Sequence, residues 1–189
     1  MLSIRPLKIE GAYILEGEFF HDNRGMFREL MKFSDLKSIK CLLPWVQNNV
    51  SISNRNTIRG IHYSIGPVKQ NKLVTCLNGS VRDFVVDVRR NSPTFGDFCE
   101  VQLNSSIPNS LFIEGGLGHA FLAQTDNCIV SYLLSSEYNP KNEFGLDPFD
   151  LDININWDVT DFLISDKDVD SESLKEALLN RRLPNFSFS

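Results

Sequence analysis

Lys72-Leu-Val-Thr-Cys-Leu-Asn-Gly-Ser-Val-Arg-Asp-Phe-Val-Val-Asp-Val88 is the stretch that decides the fold. Two runs rich in β-branched and aromatic residues flank Asn78-Gly79. Asn-Gly between such runs is the strongest short-range hairpin signal, because both central residues of a tight turn need positive φ. The same pattern extends outward. Ala12-Tyr-Ile-Leu-Glu-Gly17 reads as a strand, and so do Ser110 to Ile113, His119 to Ala123 and Cys128 to Leu134, with Gly115-Gly116 between the first two. Many short strands at regular spacing predict a mainly β protein, an antiparallel sandwich or jelly roll. Two short helices are expected. Ser34 to Lys40 would open on Ser34 as N-cap. Ser171 to Asn180 would place Leu174, Ala177 and Leu178 on one face, outside the β-rich block. No repeat or low-complexity linker divides the chain. It reads as one domain, 1–189, with a β-rich core over about 12–157 and a C-terminal segment over about 158–189.

At 189 residues there is room for one full core but little for two. A net charge of −5 without a long basic run argues against a nucleic-acid scaffold. No window approaches eighteen apolar residues, so no membrane span is expected. The opening Met1-Leu-Ser-Ile-Arg-Pro6 lacks the apolar region of a secretory signal. Cys41, Cys76, Cys99 and Cys128 form no C-x-x-C pair, and are expected to be reduced, mostly buried thiols of a cytoplasmic protein. The sequon Asn49-Val-Ser51 is then silent.

Arg59-Gly-Ile-His-Tyr63, followed closely by Lys72, carries the chemistry. Period-two alternation would put Arg59, Ile61 and Tyr63 on one face and Gly60 and His62 on the other. A lone histidine is ordinarily structural. The neighbouring cations shift the reading toward a general base, for which an imidazole near its usual pKa of ~6.5 is suited. Lys72 lies just across a loop from Gly66-Pro67 to Asn71. An ammonium fixed beside a forming oxyanion is worth several kcal/mol. Arginine grips phosphates bidentately. Three scattered histidines, His21, His62 and His119, make a poor metal inventory, though carboxylates could complete one. Spacing alone leaves Tyr132 a core or rim tyrosine and Asp168 a member of an exposed polar loop. Phe19 to Glu29 reads either as a turn at Asp22 to Gly25 with buried phenylalanines, or as a nucleotide grip. In the second reading rings stack on a base, Arg24 meets phosphate and Glu29 meets an imide-like edge.

Taken in order, several motifs resemble the dTDP-4-keto-6-deoxyhexose epimerases, the family that includes dTDP-4-dehydrorhamnose 3,5-epimerase. They are Asp22-x-Arg-Gly-x-Phe-x-Glu29, Gln47-x-Asn49-x-Ser51-x-Ser53, Arg59-Gly-Ile-His-Tyr63, Lys72-Leu-Val, Asn78-Gly-x-Val-x-Asp83, Val86-Asp-Val-Arg89, Ser92-Pro-Thr-Phe-Gly96, Gly118-His-Ala-Phe121, Tyr132, Tyr138-x-Pro140, Glu143 and Ser165-x-Lys-Asp168. The match runs from about Ile14 to Asp168.

The resemblance implies a cupin-type jelly roll, usually a homodimer, acting on a nucleotide sugar without metal or organic cofactor. It implies His62 as the base, Asp168 as its carboxylate partner, Lys72 at the oxyanion and Tyr132 as the acid on the opposite face. It further implies Arg24, Glu29, Gln47, Asn49, Arg59, His119 and Tyr138 as substrate contacts, with the grip around Arg24 and Glu29 supplied by the partner chain. Val50, Pro148 and Asp158 depart from the family pattern and leave open whether C3, C5 or both invert. A metal-dependent cupin isomerase or dioxygenase, and a catalytically silent sugar-nucleotide binding module, are the alternatives.

Overall fold

The computed structural model describes residues 2–39, 41, 44–66 and 70–186. Its strands are β1 (Ser3–Pro6), β2 (Ala12–Glu16), β3 (Phe20–Asp22), β4 (Gly25–Phe27), β5 (Gln47–Ser53), β6 (Ile58–Ser64), β7 (Lys72–Asn78), β8 (Ser80–Val86), β9 (Phe98–Asn104), β10 (Asn109–Ile113), β11 (Gly118–Ala123), β12 (Cys128–Leu134) and β13 (Glu143–Gly145). The helices are α1 (Phe33–Leu36), α2 (Asp166–Val169) and α3 (Leu174–Leu179). One sheet runs β1-β2-β10-β7-β12-β5, a second β13-β6-β11-β8-β9, and β3-β4 form a separate hairpin. From β5 to β8, and again from β9 to β13, each strand lies in the opposite sheet from the one before it. This is the expected mainly β jelly roll of cupin type.

The stretch around Asn78-Gly79 corrects one expectation. β7 and β8 do not pair, because they belong to different sheets. The Asn-Gly pair is a corner between sheets, not a hairpin loop, and of the two only Gly79 takes a positive φ, +79°. A Cβ at Gly79 would stand 2.1 Å from Thr125 Oγ1, so glycine is required there for space as well as for φ. Turn chemistry marks a sharp reversal but does not say which strand will lie alongside.

Three apolar layers hold the fold. Between the sheets, Val74, Cys76, Leu111 and Val130 meet Val81, Val85, Val101, Leu103 and Phe121. Outside the second sheet, Ile58, Ile61, Tyr63, Phe84 and Leu122 are covered by Leu146, Ile153, Ile155, Trp157, Leu174 and Ala177. Outside the first, Leu15, Leu73 and Phe112 are covered by Leu36 and Cys41. Burial on both faces explains why β7, β10 and β11 read as continuous apolar runs. The C-terminal segment therefore packs onto the β-block and anchors residues that reach the site. Of the four cysteines, three are buried, and none is in a disulfide. No helix among the described residues is long and apolar enough to cross a membrane.

The helix expectations hold in part. α3 carries a full capping box, Ser173 with Glu176. It buries Leu174 and Ala177 but leaves Leu178 exposed, because a six-residue helix presents too narrow a face for all three. Ser34 is not an N-cap. The cap position is Lys32, with no side-chain cap bond, and the Ser34 hydroxyl turns to Asp35. A 3₁₀ turn, Lys37–Ile39, follows α1. Lys40 and the loop residues 67–69 lie outside the described residues.

Candidate active site

Two adjoining cavities open at one end of the barrel. The first, about 200 Å³, is lined by residues of five elements: Ser51 on β5, Arg59 and His62 on β6, Lys72 on β7, His119 and Phe121 on β11, and Tyr132 on β12. Ser165, Lys167 and Asp168 close it from the C-terminal segment. The second, about 250 Å³, shares His62, Lys72, Tyr132 and Lys167 and adds Asn49, Gln70, Tyr138 and Glu143.

The register explains how Arg59 and His62 come to the same cavity, against the period-two expectation. His119 pairs with His62 and Phe121 with Arg59, so two steps along β11 match three along β6. The extra β6 residue is a bulge that rotates one end of the strand relative to the other. Ile61 and Tyr63 point away, into the outer core.

His62 Nε2 lies 2.7 Å from Asp168 Oδ1, a contact joining residues 106 apart in sequence. Asp168 is not in an exposed loop, as spacing suggested, but 4% exposed in α2. Ser165 is the N-cap, and its Oγ accepts from the Asp168 backbone N–H at 3.2 Å, which fixes the short helix and with it the carboxylate. Burial would raise the Asp168 pKa. The His62 hydrogen bond and charge, the Gly60 backbone N–H and the Ser165 hydroxyl outweigh it and hold the carboxyl below its ordinary value. An ionised Asp168 accepts Nε2–H of His62 and leaves Nδ1 as the basic nitrogen.

Lys72 is 6% exposed. Burial lowers its pKa, and the charge of Glu143 opposes that shift. His119 also holds a carboxylate: Nε2 lies 2.8 and 3.0 Å from the two oxygens of Asp83. Arg59 Nε donates to Ser53 Oγ at 3.1 Å. Gln47 does not line either cavity. Its Nε2 donates to Asn49 Oδ1 at 2.8 Å, and its Oε1 accepts from the Tyr138 backbone N–H at 2.8 Å, tying the rim strand to the Tyr138 loop.

Arg24 and Glu29 are not brought to the cavities of their own chain. The Arg24 side chain is 84% exposed and pairs with Asp22. Glu29 pairs with Lys32 and borders a small recess beside Phe20. Phe20 and Phe27 are exposed, against the expectation of buried rings at this turn, because β3 and β4 pair only with each other and stand off the barrel. Sequence reasoning missed Lys167, Glu143, Ser51 and Phe121 as lining residues. All four belong to motifs already quoted, so nearness to Asp168, Tyr138, Asn49 and His119 was the available signal. Among the described residues no three His, Cys, Asp or Glu side chains converge in a way that could hold a metal ion.

A cupin-type jelly roll whose cavity sets a carboxylate-bound histidine beside a buried lysine and a tyrosine has the groups that acid–base chemistry requires. A family model described as dTDP-4-dehydrorhamnose 3,5-epimerase matches residues 6–176. The chain is 40% identical to the dTDP-4-dehydrorhamnose 3,5-epimerase of Streptomyces griseus over 97% of its own length and 92% of that protein's. It superposes on NovW, a 4-keto-6-deoxy sugar epimerase of Streptomyces spheroides, with a TM-score of 0.95 at 35% identity, covering 98% of this chain and 94% of the other. It also superposes on ChmJ, a 3′-monoepimerase of Streptomyces bikiniensis in complex with dTDP-quinovose, with a TM-score of 0.91 at 37% identity, covering 95% of this chain and 92% of the other. The chain belongs to the dTDP-4-dehydrorhamnose 3,5-epimerase family and is an isomerase.

Proposed function

We propose that this enzyme inverts C3, C5 or both of a dTDP-4-keto-6-deoxyhexose, in deoxysugar biosynthesis, by proton removal and opposite-face return through an enolate. The observation that carries this reading is the His62–Asp168 pair, 2.7 Å apart, opening on a cavity also lined by Lys72 and Tyr132. A 4-keto group acidifies the hydrogens on C3 and C5. His62 takes one on Nδ1, and Asp168 stabilises the imidazolium that forms. The electron pair moves into the C3–C4 or C4–C5 bond, and the carbonyl oxygen becomes an enolate oxygen facing the Lys72 ammonium. Tyr132 gives its phenolic proton to the other face, and the carbonyl re-forms with the centre inverted. Arg59 and Lys167 suit the diphosphate, and His119, Asn49 and Tyr138 hold the rest of the substrate, with Gln47 bracing Asn49 and the Tyr138 loop from outside the cavities. The β-rich core and the C-terminal segment act as one domain, since Asp168 comes from the latter.

A homodimer completes the site in this reading. β5 is an unpaired sheet edge carrying exposed Val50 and Ile52, and the β3-β4 hairpin exposes Phe20, Met26 and Phe27. Unpaired apolar edges invite a second chain. Arg24 and Glu29, exposed on or beside that hairpin, would then serve the neighbouring cavity. Four cysteines outside any disulfide suit a reducing cytoplasm. His62 and His119 each give Nε2 to a carboxylate, and the named residues suffice without a metal, so activity is expected to survive EDTA and dialysis.

Proton NMR in deuterated water with dTDP-4-keto-6-deoxyglucose tests the reading. Deuterium should enter C3, C5 or both, and an epimer should accumulate. A substrate whose C3 and C5 hydrogens stay unexchanged at high enzyme concentration contradicts it and leaves the binding module.

A further inference from the structure

We propose that Ser53 is a positioning residue for Arg59, holding its guanidinium so that the two terminal nitrogens meet the substrate diphosphate; this rests on the reading of Arg59 as a phosphate contact. Along β5, Asn49, Ser51 and Ser53 share the face turned to the interior, while Asn48, Val50 and Ile52 on the other face are exposed. Ser53 ends that row. It is 2% exposed, and β12 pairs with it at Cys128, so its backbone is fixed.

The Ser53 hydroxyl accepts from Arg59 Nε at 3.1 Å. That is the protein hydrogen bond the Arg59 side chain makes among the described residues, and no carboxylate pairs with it. An arginine held at Nε keeps its planar fork in one orientation and leaves Nη1 and Nη2 for a bidentate anion. Without the tether, a long side chain at a cavity rim samples many rotamers, and ordering it falls on the binding step. The β6 bulge brings Arg59 round to the cavity, and Ser53 stops it swinging back toward solvent.

The test is calorimetric binding of dTDP and of thymidine, which lacks the phosphates, to the intact enzyme and its variants. Ser53→Ala should weaken dTDP binding about fivefold to tenfold, the net contribution of one ordinary hydrogen bond. Thymidine affinity should not change. Substrate KM should rise while kcat at saturation stays within about twofold. Ser53→Thr, which keeps the hydroxyl, should restore binding. If Ser53→Ala does not fold, Ser53→Cys, with its weak acceptor, should show the same selective loss. In an Arg59→Lys background, which has no Nε to tether, Ser53→Ala should cost nothing further. Unchanged dTDP binding in Ser53→Ala, alongside clear loss in Arg59→Ala, overturns the positioning role. Equal losses for dTDP and thymidine also overturn it, since Ser53 is then only structural. Unchanged dTDP binding in Arg59→Ala instead overturns the reading of Arg59 on which the proposal stands.

Discussion

The molecule holds two histidine–carboxylate pairs on neighbouring strands of one sheet, and their environments push them apart. His62 and His119 are register partners on β6 and β11. Each sets Nε2 within 3.0 Å of an aspartate, Asp168 and Asp83. Asp168 also receives the Gly60 N–H and the Ser165 hydroxyl, and its pKa is lowered. Asp83 is fully buried with His119 as its hydrogen-bond partner, and burial raises its pKa despite that partner. The His62 side chain is 40% exposed and that of His119 is 9% exposed. The pair itself is therefore not what makes a base. Extra donors hold the first carboxylate below its ordinary pKa and its imidazole is the more exposed of the two, while the second imidazole reaches the same cavity from a carboxylate that is fully buried.

The largest expected effect separates the two histidines. His62→Ala should lower turnover by ~10²-fold or more, the usual loss on removing a general base. The protein should stay folded, because the His62 side chain is partly exposed. Steady-state kinetics with circular dichroism as the control measures this.

The aspartates come next. Asp168→Asn removes the charge that stabilises the imidazolium and disturbs the tautomer, so kcat should fall by at least ~10-fold. Asp83→Asn keeps an acceptor for His119 and removes a carboxylate whose ionised form burial already disfavours, so kcat should fall less. Equal losses would mean that both pairs share the proton transfer.

Acid stability gives a smaller and opposite pair of signs. Asp168, lowered from 3.8, contributes stability that is present above that value and lost as pH falls through its folded pKa. Asp83, raised from 3.8, contributes in the other direction: its share is present below 3.8 and lost as pH rises through its folded pKa. Between pH 5 and pH 3 the Tm of Asp168→Asn should fall less than that of the parent, and the Tm of Asp83→Asn should fall more. Differences of a few degrees are expected, at about 2–4 °C per kcal/mol for a chain of this size. Parallel curves for all three proteins would remove the electrostatic distinction.

Much of the architecture was legible in local pattern. β12 has the bounds that its apolar run predicts, and β2, β10 and β11 fall within a residue or so of theirs. What local pattern could not carry was pairing. Asn78-Gly79 reads as a hairpin wherever it occurs, but only the rest of the chain determines that β8 leaves for the other sheet. The bulge on β6 exists only relative to β11, so alternation within Arg59 to Tyr63 misplaced Arg59. Asp168 sits in a polar run whose burial depends on β6, far away in sequence. His62, Lys72, Tyr132 and Asp168 were legible as a set only through ordered motifs, and the fold brings all four to one cavity. Arg24 and Glu29 stand outside it, paired with Asp22 and Lys32 of their own chain.

The central claim is that proton removal and proton return are done by different residues on opposite faces of the sugar ring. Deuterium uptake and epimer formation, followed together by NMR for Tyr132→Phe in deuterated water, test this most directly. With His62 intact, deuterium should still enter the substrate carbon with retained configuration, returned from the His62 side, while inverted product falls far more than exchange does. Inversion by Tyr132→Phe at the parent rate would contradict the account, assign the second proton to another donor and return Tyr132 to a packing role beside the inter-sheet core.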